Sequence, residues 1–594
     1  MGIHMHFKEI FKEAMNINTI ENMDEREEKA KKFFSKLDNI KFPEHFNWAS
    51  EIFEDLHVKE RGEQKALIWE CLETGREKIY SYKTTAEKSN QFLNLIRKHK
   101  VIKGDNLYQI APILPEIWFS SIAGVKGGIV IVPTAANITV RELEFRFKSH
   151  KPDIVLADEE STATMDEALR ITNCKPKIKI VIGHAEGWES YHLTEKEETN
   201  AYPADVKIND IQFCYFTSGT TGFPKRVGHT AISYPIGHLS TAIMIGIKPG
   251  HIHHNISAPG WGKWAWSSFF APLSIGATAT GFTYNTFYTE KYLKLISRYQ
   301  INSLCAPPTA WRMFVHSDLK NFDLTSLEIS TSAGEPLNPE IIHQWKKITN
   351  IEIRELYGQT ESTAMIGNPP WLAGRMKYGS FGYPSPMYDI AILDDHSNLI
   401  TTPKTVGHIA VKVSKKKPIG LFKEYIGNPE RMHDVFKEGY YHTGDKAYID
   451  YDGYWWFVGR SDDIIKSSDY RIGPFEVESV LIEHSAVLEA AVIGVPDPDR
   501  YQLVKAFIVL KKEHSPSKEI VLDLFKHTIK ILTKFKIPRI IEFSESLPKT
   551  TSGKTIRMKL RNDDITDNRN CKIKSLSNIY HYKDFPELSS QYKK

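Results

Sequence analysis

An aromatic run, Phe213-Cys214-Tyr215-Phe216, leads into Thr217-Ser218-Gly219-Thr220-Thr221-Gly222-Phe223-Pro224-Lys225. Glycines let a backbone turn its N–H groups towards an anion, the hydroxyls add donors, and the lysine adds a full charge. The segment therefore reads as a cradle for phosphate. A simple turn between strands accounts for a lone Gly-Thr-Thr-Gly, but not for a donor-rich run that ends in lysine. A Walker A loop needs four residues between its glycine and the Gly-Lys pair. Here two residues separate Gly219 from Gly222, and Phe223-Pro224 precede the lysine, so that rival fails on spacing.

More residues able to do chemistry follow in order. They are Ser-Ala-Gly-Glu-Pro-Leu (332–337), Glu-Leu-Tyr-Gly-Gln-Thr-Glu (355–361), Tyr-His-Thr-Gly-Asp (441–445), the segment 454–466, Tyr-Arg-Ile-Gly-Pro-Phe-Glu-Val-Glu (470–478) and Leu-Pro-Lys-Thr-Thr-Ser-Gly-Lys-Thr-Ile-Arg (547–557). With the phosphate-type loop, this series resembles the adenylate-forming superfamily over roughly residues 40–562. Within it, GYYHTGD, DGYWWFVGR and RIGPFEVES are most similar to medium-chain acyl-CoA synthetases.

The resemblance implies an acid–thiol ligase that turns a medium-chain, branched or aromatic carboxylic acid into acyl-CoA, with ATP, Mg2+ and coenzyme A. A carboxylate first joins the α-phosphate of ATP, giving acyl adenylate and pyrophosphate; the thiol then takes the acyl group and AMP leaves. Two anions must meet in the first step, so positioning and electrostatic stabilisation supply most of the acceleration. By motif position, Thr217, Ser218, Gly219, Thr220, Thr221, Gly222 and Lys225 hold the outer phosphates. Thr360 contacts the α-phosphate, and Glu361 holds Mg2+, a hard ion suited to oxygen ligands.

Gly334, Glu335, Pro336 and Tyr357 resemble the adenine slot, and Glu355, Gly358 and Gln359 share the same nucleotide motif. Asp445 accepts from the ribose hydroxyls with Arg460 beside it, although an Asp after Thr-Gly also suits an ordinary turn. Lys554, by default an exposed surface lysine, is in the family the residue that swings in to bridge carboxylate and α-phosphate. Asp462 is the hinge position; an acidic linker is its plainer account. Trp261 and Trp264 wall the acyl pocket, or sit in a core helix, and Gly334 and Gly358 set its depth because a missing Cβ leaves space. Ser468, Asp469, Tyr470, Arg471, Arg500 and Lys536 lie on the coenzyme A side.

These groups need a large scaffold. The 594 residues are too many for one simple domain, and 41% hydrophobic with 25% charged residues excludes wholesale disorder. A net charge of +4 (77 basic against 73 acidic residues) does not suggest a nucleic-acid binder. No run approaches the ~18–20 apolar residues of a membrane span. Lys8, Glu9, Lys12 and Glu13 stand where a secretory signal needs an apolar core. Five scattered cysteines without a CxxC pair fit a reducing cytoplasm.

Strand-like runs such as DIVLA and GGIVIVP alternate with helix-like runs such as ELEFRFKSH, which predicts α/β layers. The resemblance adds two layered subdomains plus a distorted β-barrel in the large domain, and a small mobile α+β C-terminal domain. The expected divisions are a helical extension at 1–60, an adenylation body at 61–461, the mobile domain at 462–562 and a polar tail at 563–594. The extension either caps the large domain or serves an interface. Two alternatives stay open for function: an adenylating enzyme that passes the acyl group to a carrier protein or thioesterifies poorly, and a non-catalytic acyl- or nucleotide-binding homologue.

The thioester side carries one departure from the family pattern. Where relatives read Lys-x-Ser-Gly-Tyr-Arg-Ile, this chain has Asp469 in place of the glycine. The backbone cost of Asp at positive φ is on the order of 1 kcal/mol, but a carboxylate opposes a developing thiolate. We expect Asp469→Gly to speed acyl-CoA formation while pyrophosphate release in the first step stays constant. Parallel assays of both products check this, and two unchanged rates would sink it.

Overall fold

The computed structural model describes residues 5–217, 224–468, 470–550, 554–569 and 578–588. Contacts divide the chain into a larger unit, 1–389 with 412–440, and a smaller one, 390–411 with 441–594.

The larger unit holds two sheets. The nine-stranded sheet runs Tyr383–Pro384, Ile366–Gly367, Ile353–Tyr357, Ile329–Ala333, Ser303–Ala306, Ile252–Asn255, Thr278–Thr283, Lys65–Cys71 and Glu77–Ser81. From Ile353–Tyr357 to Lys65–Cys71 every neighbouring pair is parallel. The eight-stranded sheet runs Glu424–Tyr425, Lys225–Thr230, Ile211–Thr217, Val130–Thr134, Asn106–Ile110, Ile154–Asp158, Ile178–Ile182 and Glu189–Ser190. Its inner strands VIVPT and IVLAD are near-continuous apolar runs, the signature of strands covered on both faces.

Register places the motifs. Ser332 pairs with Glu355 and Ala333 with Leu356 across a parallel ladder. The segments 334–337 and 357–361 therefore leave the sheet side by side, at the carboxyl ends of strands where open α/β sheets bind ligands.

The N-terminal segment is part of this body. Helix α1 (Phe7–Thr19) and helix α2 (Met23–Leu37) bury Phe11, Phe33 and Phe34. Helix α3 (Gly237–Ile245) is buried on every face, so its last carbonyls find no water. Asn18 of α1 donates to Ala242 O (3.2 Å) and Ile247 O (2.7 Å), while buried Arg26 of α2 donates to Asn18 Oδ1 (3.0 Å). Arg354 completes the cap by donating to Met244 O and Ile245 O. The extension thus caps an internal helix of the larger unit.

The smaller unit carries an antiparallel sheet containing Ile390–Leu393, Gly407–Lys412, Tyr440–Ile449 and Trp455–Arg460. A hairpin, Ile465–Ser467 with Tyr470–Ile472, follows. Beyond it lies a sheet of Val487–Asp497, Tyr501–Leu510, Ile540–Phe543 and Ile579–His581. The helices Pro474–Ile482 and Lys518–Ile531 pack on this last sheet through Val477, Leu481, Leu524 and Phe525.

Glu355 shows how tightly the motif loops are tied to their strands. Its side chain is buried, and Oε1 accepts the Leu337 N–H at 2.8 Å, pinning the end of the 334–337 loop. Burial pushes its carboxyl up to about 8. A carboxyl raised in the folded state favours the protonated form, so wild-type stability declines as pH rises from about 4.5 towards about 8. Glu355→Gln should remove that decline, which chemical denaturation at pH 5 and pH 8 would measure.

Candidate active site

The strand Lys225–Thr230 starts opposite Thr217 and is bordered on its other side by Glu424–Tyr425. Lys225 Nζ lies 5.4 Å from the centroid of the Tyr425 ring, a cation–π distance. The Tyr425 hydroxyl donates to Glu361 Oε1 at 2.8 Å, and the Phe422 N–H donates to the Glu361 carbonyl at 2.8 Å. One tyrosine therefore joins the lysine of the first motif to the acid of the third and fixes that carboxylate's orientation.

Thr360 is held from behind. Its carbonyl accepts from His229 Nε2 (2.7 Å) and from the Tyr234 hydroxyl (3.4 Å). A carbonyl cannot donate, so Nε2 carries the proton and Nδ1 accepts from Ser233 Oγ (3.1 Å). Burial pushes His229 down to about 3, keeping the ring neutral. The Thr360 side chain turns the other way, towards Gly262, where a built Cβ would lie 3.5 Å from Oγ1.

The aromatic segment divides its tryptophans. Trp261, half-buried, precedes the short helix Gly262–Trp264. Trp264 is fully buried, packed edge-on against Trp118 and stacked on Phe269, so it belongs to the core side of this wall. Trp266 reaches Gly358: a Cβ there would meet its Cη2 at 2.3 Å and Thr363 O at 2.3 Å. The space left by the missing Cβ of Gly358 is filled by indole.

Gly334 has φ +113°, a conformation open to glycine, and begins the loop beside Glu335 and Pro336. Tyr357 is half-buried, with its ring edge-on to Phe381 at 5.4 Å. The Gln359 N–H donates to Ser362 Oγ at 3.0 Å, closing the turn that presents Thr360.

In the smaller unit, Asp445 pairs with Arg460 across antiparallel strands, and Gly444 between Thr443 and Asp445 has φ +79°. Asp445 is buried, and its N–H donates to Thr443 Oγ1. Asp462 is exposed, whereas the adjacent Asp463 accepts from Arg561 at 2.8 Å. Lys554 is exposed at a turn in which Thr550 N–H donates to Lys554 O (2.7 Å). Ser468 has φ +53°, and its N–H donates to Arg500 O; Tyr470 stacks on Phe535 at 3.9 Å. Arg471 is exposed, and Lys536 is engaged by Glu476 at 2.5 Å. Ser218, Gly219, Thr220, Thr221, Gly222 and Asp469 lie outside the described residues.

In the larger unit the structure thus gathers Thr217, Lys225, Gly358, Thr360, Glu361 and Trp261. It adds four residues that the motif reading passed over: His229, Tyr234, Trp266 and Tyr425. A His four residues beyond Lys225 and a Tyr in Glu-Tyr-Ile-Gly carry no chemical pattern of their own, whereas Trp266 stands two residues beyond Trp264 in the same aromatic segment.

The AMP-binding enzyme model matches residues 55–426, and that of the AMP-binding enzyme C-terminal domain matches 476–554. The chain is 50% identical over 517 residues to 4-hydroxybutyrate--CoA ligase 1 of Metallosphaera sedula, covering 87% of this chain and 90% of that one. It is 36% identical to the mitochondrial acyl-coenzyme A synthetase ACSM3 of Rattus norvegicus, covering 89% and 92%. Among solved structures, the anthranilate CoA ligase AuaEII with anthranoyl-AMP aligns with a TM-score of 0.81 at 27% identity, over 89% of this chain and 99% of that one. A benzoate CoA ligase from Burkholderia xenovorans LB400 aligns with a TM-score of 0.76 at 25% identity, over 87% and 100%. The chain belongs to the AMP-binding enzyme family, within its ATP-dependent acid–CoA ligases that work through an acyl adenylate.

Proposed function

We propose that this ligase activates a small carboxylic acid in the cytoplasm, with 4-hydroxybutyrate as the first candidate, since the half-identical relative is named for it. The observation that carries the division of labour is the meeting of Lys225 and Glu361 on Tyr425. A cation for the outer phosphates lies over the Tyr425 ring and an oriented carboxylate at its hydroxyl, and Thr360 adjoins the carboxylate. Lys225 with Thr217 and the 218–222 segment takes the β- and γ-phosphates. Thr360 Oγ1 donates to the α-phosphate, while its carbonyl is held by His229 and Tyr234. Gly334, Glu335, Pro336 and Tyr357 receive the adenine, and Asp445 the ribose hydroxyls, with Arg460 beside it.

Lys554 neutralises charge between carboxylate and α-phosphate during adenylation. Asp462 serves as the hinge for the second step, in which Ser468, Tyr470, Arg471, Arg500 and Lys536 meet coenzyme A. Lys536 must leave Glu476 to do so.

Among the described residues no cluster of three or more His, Cys, Asp or Glu side chains is placed to hold a metal. The donor set fits Mg2+, which keeps waters and substrate phosphates as ligands and needs few carboxylates. Glu361 is the residue to hold it, and the bound ion would withdraw charge from the phosphates. Tyr425 fixes which oxygen of Glu361 faces the phosphates.

A panel of acids assayed for pyrophosphate, with and without coenzyme A, tests the proposal; pyrophosphate release without any acyl-CoA would overturn it. Lys554→Ala should reduce carboxylate-dependent ATP–pyrophosphate exchange by at least ~100-fold, and undiminished exchange would remove Lys554 from this role. Losing a hydrogen bond to a charged group costs about 1.5–3 kcal/mol. Tyr425→Phe should therefore raise the Mg2+ concentration for half-maximal exchange about tenfold, read from a Mg2+ titration at fixed ATP.

A further inference from the structure

Lys554 stands three residues before a helix, Arg557–Arg569. The backbone between them is tied down: Thr555 bridges to Lys549, and the Ile556 N–H donates to Pro548 O at 2.8 Å. Where the ammonium can reach is therefore set by how the helix lies. The helix is strongly polar, and of its described residues only Leu560 is buried, against Ile493, Val495, Phe507 and Leu547. One leucine keeps a helix in contact with a sheet but leaves it free to roll. Its orientation comes from ion pairs.

Arg557 and Arg561, four positions apart, share one face of the helix. Arg557 donates through Nε and Nη2 to Glu478 Oε1 (3.1 and 2.8 Å) and through Nη2 to Oε2 (2.6 Å). Buried Glu478 also accepts the Val492 N–H at 2.8 Å, so this pair fastens the helix to the sheet of the smaller unit. One turn beyond Arg561 side, Asp564 meets buried Lys505 at 2.5 Å, and Lys505 pairs with Glu542 at 2.7 Å. These contacts explain why the helix stays folded on the sheet.

The pair between them leads elsewhere. Arg561 Nη2 donates to Asp463 Oδ1 at 2.8 Å, and Arg557 Nη1 lies 3.9 Å from Oδ2 of the same carboxylate. The Asp463 and Ile464 N–H groups both donate to Arg460 O, at 3.0 and 3.2 Å, which closes the turn containing Asp462. Asp463 and Arg561 keep only 16% and 25% of their side-chain exposure, so this is not a loose surface pair of the kind that contributes nothing measurable. The two adjacent acids therefore differ: Asp462 is exposed, while Asp463 binds the turn to the helix that follows Lys554.

We propose that Asp463 and Arg561 are positioning residues for adenylation. Their ion pair couples the turn 460–464 to the helix Arg557–Arg569, so that rotation about Asp462 carries Lys554 as part of a rigid arm. This rests on the roles proposed above for Lys554 and Asp462. A group that must sit between two anions is sensitive to placement, and a misplacement of about 1 Å costs on the order of 100-fold in rate. Without the pair, Glu478 and Lys505 still hold the helix to its sheet, but the tie to the turn is lost. Thiol attack on the acyl adenylate makes no use of Lys554, so only the first step should suffer.

The two half-reactions are measured separately on full-length enzyme, using the acid that releases most pyrophosphate in the panel and its synthetic adenylate. Arg561→Met should lower kcat for ATP–pyrophosphate exchange at least ~10-fold, with KM for ATP and acid held within about twofold. Acyl-CoA formation from the adenylate and coenzyme A should also stay within about twofold. Asp463→Asn breaks the same pair from its other side and should give the same split. In a Lys554→Ala background, Arg561→Met should cost nothing further, because the group it places is gone. Wild-type exchange in both folded single variants overturns the proposal. So does an equal loss in the two half-reactions, or a full additional loss in the Lys554→Ala background. Undiminished exchange in Lys554→Ala alone would instead sink the role of Lys554 on which the inference rests.

Discussion

A carboxylate and a triphosphate repel one another, and at the proposed site the larger unit sets fixed dipoles behind Thr360 rather than charge alone. The Thr360 carbonyl receives hydrogen bonds from a histidine that burial keeps neutral and from a buried tyrosine. The next carbonyl, of Glu361, is taken by the Phe422 N–H, and the Glu361 carboxylate by Tyr425. With both carbonyls engaged from behind, the two side chains are oriented before any substrate arrives. Such preorganisation carries no reorganisation cost at the moment of reaction.

That orientation depends on parts remote in sequence. Helix α3 lies just after His229 and Tyr234, and it contributes Ser240, which meets Thr363 Oγ1 at 3.0 Å. Its C-terminal carbonyls are satisfied by Asn18 and Arg354, and Asn18 is held by Arg26. A chain of hydrogen bonds thus runs from the N-terminal helices through α3 to the loop that bears Thr360. Glu355 does a similar service for the 334–337 loop, where a carboxyl kept neutral by burial accepts one N–H.

Thr360, Glu361, Asp445 and Lys554 stand out in the sequence as candidates because each sits in a motif whose residue types already suggest anion chemistry. The α/β layering was legible because buried parallel strands are written as apolar runs. Tyr425 was not, since its meaning lies wholly in Glu361, 64 positions away. Gly358 reads from sequence as empty space, yet Trp266 fills it, because a missing Cβ says only that something approaches closely, not what. The strands 390–411 and 441–460 pair antiparallel among themselves and fall in the smaller unit with the C-terminal residues, a relation between segments that local hydropathy does not record.

The cations of the 547–557 segment differ in a way that bears on the role proposed for Lys554. Lys549 is paired with Glu489 at 2.6 Å, and Arg557 forms a bidentate pair with Glu478. Among the described residues the Lys554 ammonium makes no ion pair, and its turn is shaped by bonds of its backbone to Thr550: its carbonyl accepts the Thr550 N–H, and its N–H donates to Thr550 Oγ1. A partner within the same unit would have to be given up each time the lysine engaged substrate in the proposed role, and leaving that carboxylate unpaired would add to the barrier. Leaving this one ammonium in solvent, between two pinned neighbours, keeps its backbone defined and its charge available. The same reasoning makes Lys536 the costlier recruit, since Glu476 already holds it.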